Sequence, residues 1–320
     1  MPRTSHSGAR IAAFVGARAL EALLVALLLA SLVFFALRLL PGDPAQLILG
    51  DEASPAELAR VRATLHLDQP LLVQYAGFLR GLATLDLGDS LRQPGTPAMA
   101  RVAEAFVPTG ALAAIAVALG TLAGLAAAVL ASGPWLGGLA RWVERGLVVA
   151  AAAPLVAFAP VLTWALAVRA RVVPLPGDPD TPAAGLLFAA ALLAIPLAAH
   201  LGRIARASLE DLGRAQFLVT AQAKGAAPAR VWIVHALAAV AGPITTVVAT
   251  QLGALLGCAV VLERMFERRG LGTLILEAYA TRDLPVLEGA VVATGVLFIA
   301  AQAAGAAAHT MIDPRARSNP

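Results

Sequence analysis

The chain has 320 residues, of which 59% are hydrophobic and only 14% charged, with a mean hydropathy of +0.79. A soluble domain carries about 25% charge, so this is the composition of an integral membrane protein. The net charge of +4 comes from arginine-rich loops, and no basic stripe alternates with aromatics as a nucleic-acid surface would require.

Residues 1–18 form a short basic tail with Arg3, Arg10 and Arg18, followed by an apolar run at 19–40. A signal peptide begins the same way, but this run is long and no small-residue cleavage site closes it. Roughly 20 apolar residues cross the hydrocarbon core, so 19–40 is expected to be the first transmembrane helix. A polar excursion fills 41–105 and opens with the turn Pro41-Gly42-Asp43-Pro44. Ser54-Pro55-Ala56-Glu57 is a capping box with proline at the first helical position. Leu58, Val61 and Leu65 then share one face, which predicts a short amphipathic helix. Leu67-Asp68-Gln69-Pro70, Gln74-Tyr75 and Asp86-Leu87-Gly88-Asp89-Ser90 follow. Gly88-Asp89-Ser90-Leu91 spells the signature of a serine-hydrolase family. That chemistry needs a histidine base in an Asp-x-x-His element, and no histidine of this chain has Asp three residues before it. The esterase reading is kept only as an alternative, and it makes Ser90 essential to an activity of the isolated chain.

Five more spans are expected, at 106–131, 147–168, 183–199, 243–262 and 286–311. Pro154 and Pro160 inside the third predict kinks. Gly120/Gly124 and Gly253/Gly257 have the spacing that lets helices approach closely, although an alanine- and glycine-rich composition produces such pairs by itself. Thr245, Thr246, Thr250 and Gln251 lie in the fifth span, Gln302 and His309 in the sixth. Such groups face a bundle interior or a pore. Thr246, Thr250 and Gln251 are therefore candidates for a substrate path, against the plainer reading of helix–helix hydrogen bonds. Glu263, Glu267, Glu277, Asp283 and Glu288 gather around the last loop, as a partner surface or a solvated face. The single cysteine, Cys258, excludes an internal disulfide, and the histidines His6, His66, His200, His235 and His309 have no metal-ligand spacing.

Between the fourth and fifth spans, Arg203–Pro243 reads as a protruding hairpin of helices. Ser208 and Asp211 make a weak capping box where a helix starts or restarts. Gly225 suits a helix C-terminus, Lys224 places a cation on the negative end of the dipole, and Pro228 opens the next helix. An ordinary basic loop would carry the same residue types. Lys224 is the one lysine of the chain and lies between Ala223 and Gly225. A Gly-Lys-Ser/Thr P-loop is therefore absent, and ATP-driven work would need an ATPase on another polypeptide.

This segment resembles the coupling motif of ABC importer permeases, a Glu-Ala-Ala, then three residues, then Gly. Ala221 matches the second alanine and Gly225 the glycine, whereas Val219 and Thr220 stand in place of Glu-Ala. Thr220-Ala221-Gln222-Ala223-Lys224-Gly225 and His235-Ala236-Leu237 are similar to the dipeptide/oligopeptide branch, in which Phe217 is often Tyr. Pro41-Gly42-Asp43-Pro44, Leu67-Asp68-Gln69-Pro70, Gln74-Tyr75, Asp86-Leu87-Gly88-x-Ser90 and Asp313-Pro314-Arg315 resemble the same branch, so the likeness runs from about Pro41 to Arg317. It implies an all-α membrane protein with six transmembrane helices and the type I ABC importer permease fold. It also implies Ala221, Lys224 and Gly225 as the ATPase-coupling positions. The implied partners are a homologous second permease, two ATPase subunits that bind ATP and Mg, and an external solute-binding protein; no cofactor is expected on this chain. By the positive-inside rule, twelve cations fall on the side of the N-terminus and six on the short opposite loops, which places both termini in the cytoplasm; the resemblance implies a bacterial inner membrane. The competing reading from another class is a self-contained secondary transporter or channel.

Overall fold

The apolar runs fold as helices in the computed structural model, which describes residues 5–38, 44–50, 53–64, 67–212 and 215–312. Fourteen α-helices are described, with π-helical turns at Trp164–Arg169 and Val231–Ala236. An isolated bridge pairs Asp89 with Pro97. Five helices are long and apolar enough to cross a bilayer, and a bent helix pair makes a sixth where the two halves count as one span. The Pro41-Gly42-Asp43 turn, Leu65, Gly213 and the Asp313-Pro314-Arg315 tail lie outside the described residues.

The chain divides into two compact units. The first comprises Met1–Pro108 and Arg269–Ile299, the second Thr109–Arg268 and Ala300–Pro320. In the first unit, α1 (Ser5–Arg38) is one helix, so residues 5–18 of the basic tail form its beginning. After α2 (Pro44–Leu49), the short helix α3 (Pro55–Thr64) has the expected capping box. Glu57 accepts from the Ser54 N–H at 2.9 Å and from its hydroxyl at 2.7 Å, while Ser54 Oγ accepts from the Glu57 N–H at 3.3 Å. These bonds, the hydroxyl first, hold the Glu57 carboxyl below the usual carboxylate range. Helix α4 (Leu71–Thr84) ends on Leu85 in the left-handed region. Gly81 is required there, because a Cβ would sit 2.6 Å from the Asp86 carbonyl. Phe34, Phe35, Tyr75 and Phe78 form an aromatic cluster between α1 and α4. Helices α13 (Leu271–Thr281) and α14 (Leu284–Ile312) pack with the start of α5 (Ala98–Ser132) around Val102, Leu271, Val286 and Ala290.

In the second unit, α5 meets α8 (Pro182–Leu212) at backbone contact. A Cβ on Gly124 would fall 2.8 Å from the Ala198 carbonyl, and one on Gly120 3.0 Å from that of Ala194. This small-residue pair is a true helix crossing, whereas Gly257 of the other pair faces open space. The third span is broken rather than kinked. Helix α6 (Ala140–Ala152) and α7 (Leu155–Thr163) meet at Ala153-Pro154 with a change of direction of 113°. Helix α8 continues past His200 to Leu212 despite Pro196, so the fourth span is longer than the apolar run predicts and no helix restarts at Ser208. The fifth span is α12 (Ala241–Met265), packed on α8.

Candidate functional site

The hairpin between α8 and α12 is shorter and tighter than its sequence suggests. Its first arm is α9 (Gln216–Ala223), separated from α8. The second arm starts at α10 (Pro228–Arg230), passes through the π-helical turn and α11 (Leu237–Ala239), and leads into α12. Between the arms, the Gly225 N–H donates to the Gln222 carbonyl at 2.9 Å and the Ala226 N–H to the Ala221 carbonyl at 3.1 Å. These two bonds define a Schellman motif, which satisfies carbonyls that a helix end otherwise leaves bare. The motif needs a left-handed residue at Gly225, and its φ is +82°.

The hairpin is held from behind by apolar packing. Leu218 and Val231, both buried, join Leu201, Ala205 and Leu209 of α8, Val129 of α5 and Ile244 of α12 in one cluster. Ala221 and Ala226 pack against that cluster, the apolar contact that accompanies a Schellman turn. Ala221 is thus half-buried in the hairpin's own base, while Lys224 and Gly225 are exposed at its tip. A Cβ on Gly225 would meet nothing within 4 Å, so it is backbone conformation and not crowding that calls for glycine. Phe217 and Val219 are also exposed, at 46% and 55%. Phe217, Val219 and Lys224 therefore present an aromatic, an aliphatic and a cationic side chain on one protrusion.

The three residues expected in a substrate path separate. The Thr246 hydroxyl donates to the Gly242 carbonyl at 3.1 Å and that of Thr250 to Val247 at 3.0 Å, both within α12. Both threonines are exposed, four residues apart on one side of the helix. Gln251 instead lines a cavity of about 40 Å³ between α8 and α12, with Pro196, Leu197 and Cys258.

The acidic residues of the last loop are not a solvated face as a group. Glu263, Asp283 and Glu288 are buried, and Glu267 and Glu277 are exposed. The Thr109 hydroxyl donates to Glu263 within the second unit. In the first unit, Arg38 pairs with Glu288, stands 3.7 Å over the Phe34 ring and donates to Gln74 at 3.1 Å. Asp283 accepts from the Ser90 hydroxyl, from the Leu91 N–H at 3.1 Å and from Arg101 at 3.5 Å. Ser90 is 2% exposed and its hydroxyl is committed to a carboxylate, with no imidazole in that network among the described residues. The hydrolase-like signature is thus a loop anchor. These partners are far apart in the sequence, and no local spacing announces them. Among the described residues no group of three His, Cys, Asp or Glu side chains is placed to hold a metal ion.

A helical membrane core with an anchored turn between its spans is the setting in which the family comparisons fall. Residues 108–318 match the model of the binding-protein-dependent transport system inner membrane component, and residues 11–105 match that of the corresponding N-terminal component. The chain belongs to this permease family. A putative peptide transport system permease protein of Brucella abortus is 34% identical over 307 residues, covering 94% of this chain and 97% of the relative. A glutathione transport system permease protein of Pectobacterium atrosepticum is 33% identical, covering 84% and 87%. A dipeptide transport system permease protein of Alkalihalophilus pseudofirmus is 30% identical, covering 88% and 92%. This permease is accordingly a multi-pass membrane subunit of an ABC importer, the type implied by its coupling-like segment and its first-loop motifs.

Proposed function

We propose that this permease carries peptides or a related small solute, handed over by an external binding protein, and that a separate ATPase drives it through the turn at Gly225. The relatives' substrates are the reason for the solute class. The observation that carries the coupling role is the Schellman turn. Its backbone is fixed by its own bonds and its base by the core of α5, α8 and α12, so a push on the tip is transmitted to membrane helices as a rigid body. Lys224 and Gly225 form the contact, and Ala221 keeps the arm seated. A second homologous permease and two ATPase subunits complete the assembly, with ATP and Mg on the ATPases and none on this chain. Both termini and the hairpin face the cytoplasm, following the arginine distribution. Thr246 and Thr250 border the solute path.

Affinity purification of the tagged chain from its native membranes in mild detergent tests this reading. The expected result is co-purification of a second permease and P-loop ATPase subunits. Recovery of the chain alone, with transport that survives ATP depletion, would replace the importer by a self-contained transporter.

A further inference from the structure

Helix α6 departs sharply from the direction of α7. If α7 runs along the membrane normal, the 113° turn between them leaves α6 about 23° out of the membrane plane. Its docking point fixes its depth. The Leu147 methyl groups lie 3.1 Å from where a Gly202 Cβ would be, and Glu144 pairs with Arg206 at 2.6 Å. Helix α8 begins at Pro182, and the rise from there to Gly202 is about 30 Å, which matches the thickness of the hydrocarbon layer. Helix α6 therefore crosses α8 where hydrocarbon gives way to headgroups.

The chemistry of its surface agrees with that depth. Val143, Leu147 and Ala150 form the half-buried stripe toward α8. On the other side Arg141, Trp142, Arg145, Val148 and Val149 are exposed, Trp142 at 66% and Val149 at 68%. The Arg145 guanidinium stands 5.0 Å over the Trp142 ring. The helix has one acid, Glu144, and it is engaged by Arg206. The outward face thus carries two cations and no anion beside an aromatic ring, with its apolar residues toward the α7 end. Trp and Arg at this level are the pattern of a helix lying in a membrane interface.

We propose that α6 is an interfacial helix that binds anionic phospholipid headgroups. Arg141 and Arg145 take the phosphates, Trp142 lies at the headgroup–acyl boundary, and Val148 and Val149 reach the acyl chains. The charge complementarity selects lipid of net negative charge over zwitterionic lipid. The leaflet concerned is the cytoplasmic one if the orientation proposed above holds; the headgroup chemistry does not depend on it. An importer anchored in this way has the pivot between α6 and α7 tied to the membrane surface.

The test uses the full chain in nanodiscs of phosphatidylcholine, with or without phosphatidylglycerol. Lipid retained through detergent exchange is measured by mass spectrometry. Phosphatidylglycerol should be enriched over its bulk share. The enrichment should fall about thirtyfold in Arg141→Gln/Arg145→Gln, as expected for two cations near a charged surface, and persist in Arg141→Lys/Arg145→Lys. Both arginines are exposed, so the fold tolerates the changes. In parallel, lipids brominated near the headgroup should quench Trp142 more than lipids brominated deep in the chain, with Trp142→Phe giving the background. Unchanged enrichment in the Gln variant, or none in the wild type, would overturn the proposal. Deep quenching would make α6 part of a span, and absence of quenching by either lipid would give its outward face to a protein partner; both results would also overturn it.

Discussion

Two turns in this molecule are held in opposite ways. The hairpin tip at Gly225 closes through backbone bonds within six residues, and its base is apolar. The loop around Ser90 is fixed by a buried carboxylate, Asp283, which lies 193 residues from Ser90 and 192 from Leu91 in the sequence. In the first case the polar and cationic side chains remain outside and available. In the second they are consumed internally, and the loop becomes a fixture of its unit. The turn that leaves its side chains exposed is thus made of small residues and backbone geometry, whereas the buried one spends its charges on itself.

Substitutions should separate the two. Asp283→Ala removes the acceptor of Ser90, Leu91 and Arg101 together and should cost about 3 kcal/mol of stability. Chemical unfolding in detergent measures this, and uptake per folded complex should be little changed. Gly225→Val should cost only about 1–2 kcal/mol, the penalty of a branched residue at positive φ. Yet it should reduce ATP-driven uptake by at least about tenfold, because the tip no longer has the shape its partner fits. Normal uptake by that variant in proteoliposomes would remove the distinction. Ser90→Ala should cost about 1 kcal/mol and leave any ester hydrolysis at background, which a chromogenic ester assay reads. The smallest effect is at Glu57. Its carboxyl is held low by Ser54, so the cap contributes above the unfolded carboxylate range and is lost as pH falls through the lowered folded value. Hydrogen exchange in α3 should accelerate over that acidic window alone, and Glu57→Gln should flatten the dependence.

The hairpin was largely legible because its determinants are local. Gly225, Pro228 and the Ser54/Glu57 box each state their geometry within a few residues. The end of α8 was not, since a helix that leaves the membrane continues on charged residues such as Arg206 and Glu210, which pair with each other at 2.8 Å. Hydropathy stops at the hydrocarbon boundary and the backbone does not. The burial of Asp283 and Glu288 was equally hidden, because their partners, Ser90 and Arg38, come from distant segments. Pro154 announced a bend but not its size, which depends on α6 finding a seat on α8. Gln251 shares its helix with Thr246 and Thr250 yet points into a cavity beside Pro196, a difference of side-chain direction that spacing alone does not resolve.

Site-specific cross-linking at the hairpin tip tests the coupling role most directly. Lys224→Cys in a Cys258→Ala background leaves one thiol, at the exposed end of the turn. In the assembled importer it should cross-link to an ATPase subunit, with a yield that changes on adding ATP, while Ser90→Cys in the same background should give no such product. An intact, ATP-hydrolysing complex in which the Lys224→Cys thiol reaches only water or lipid would contradict the assignment of this turn as the coupling site.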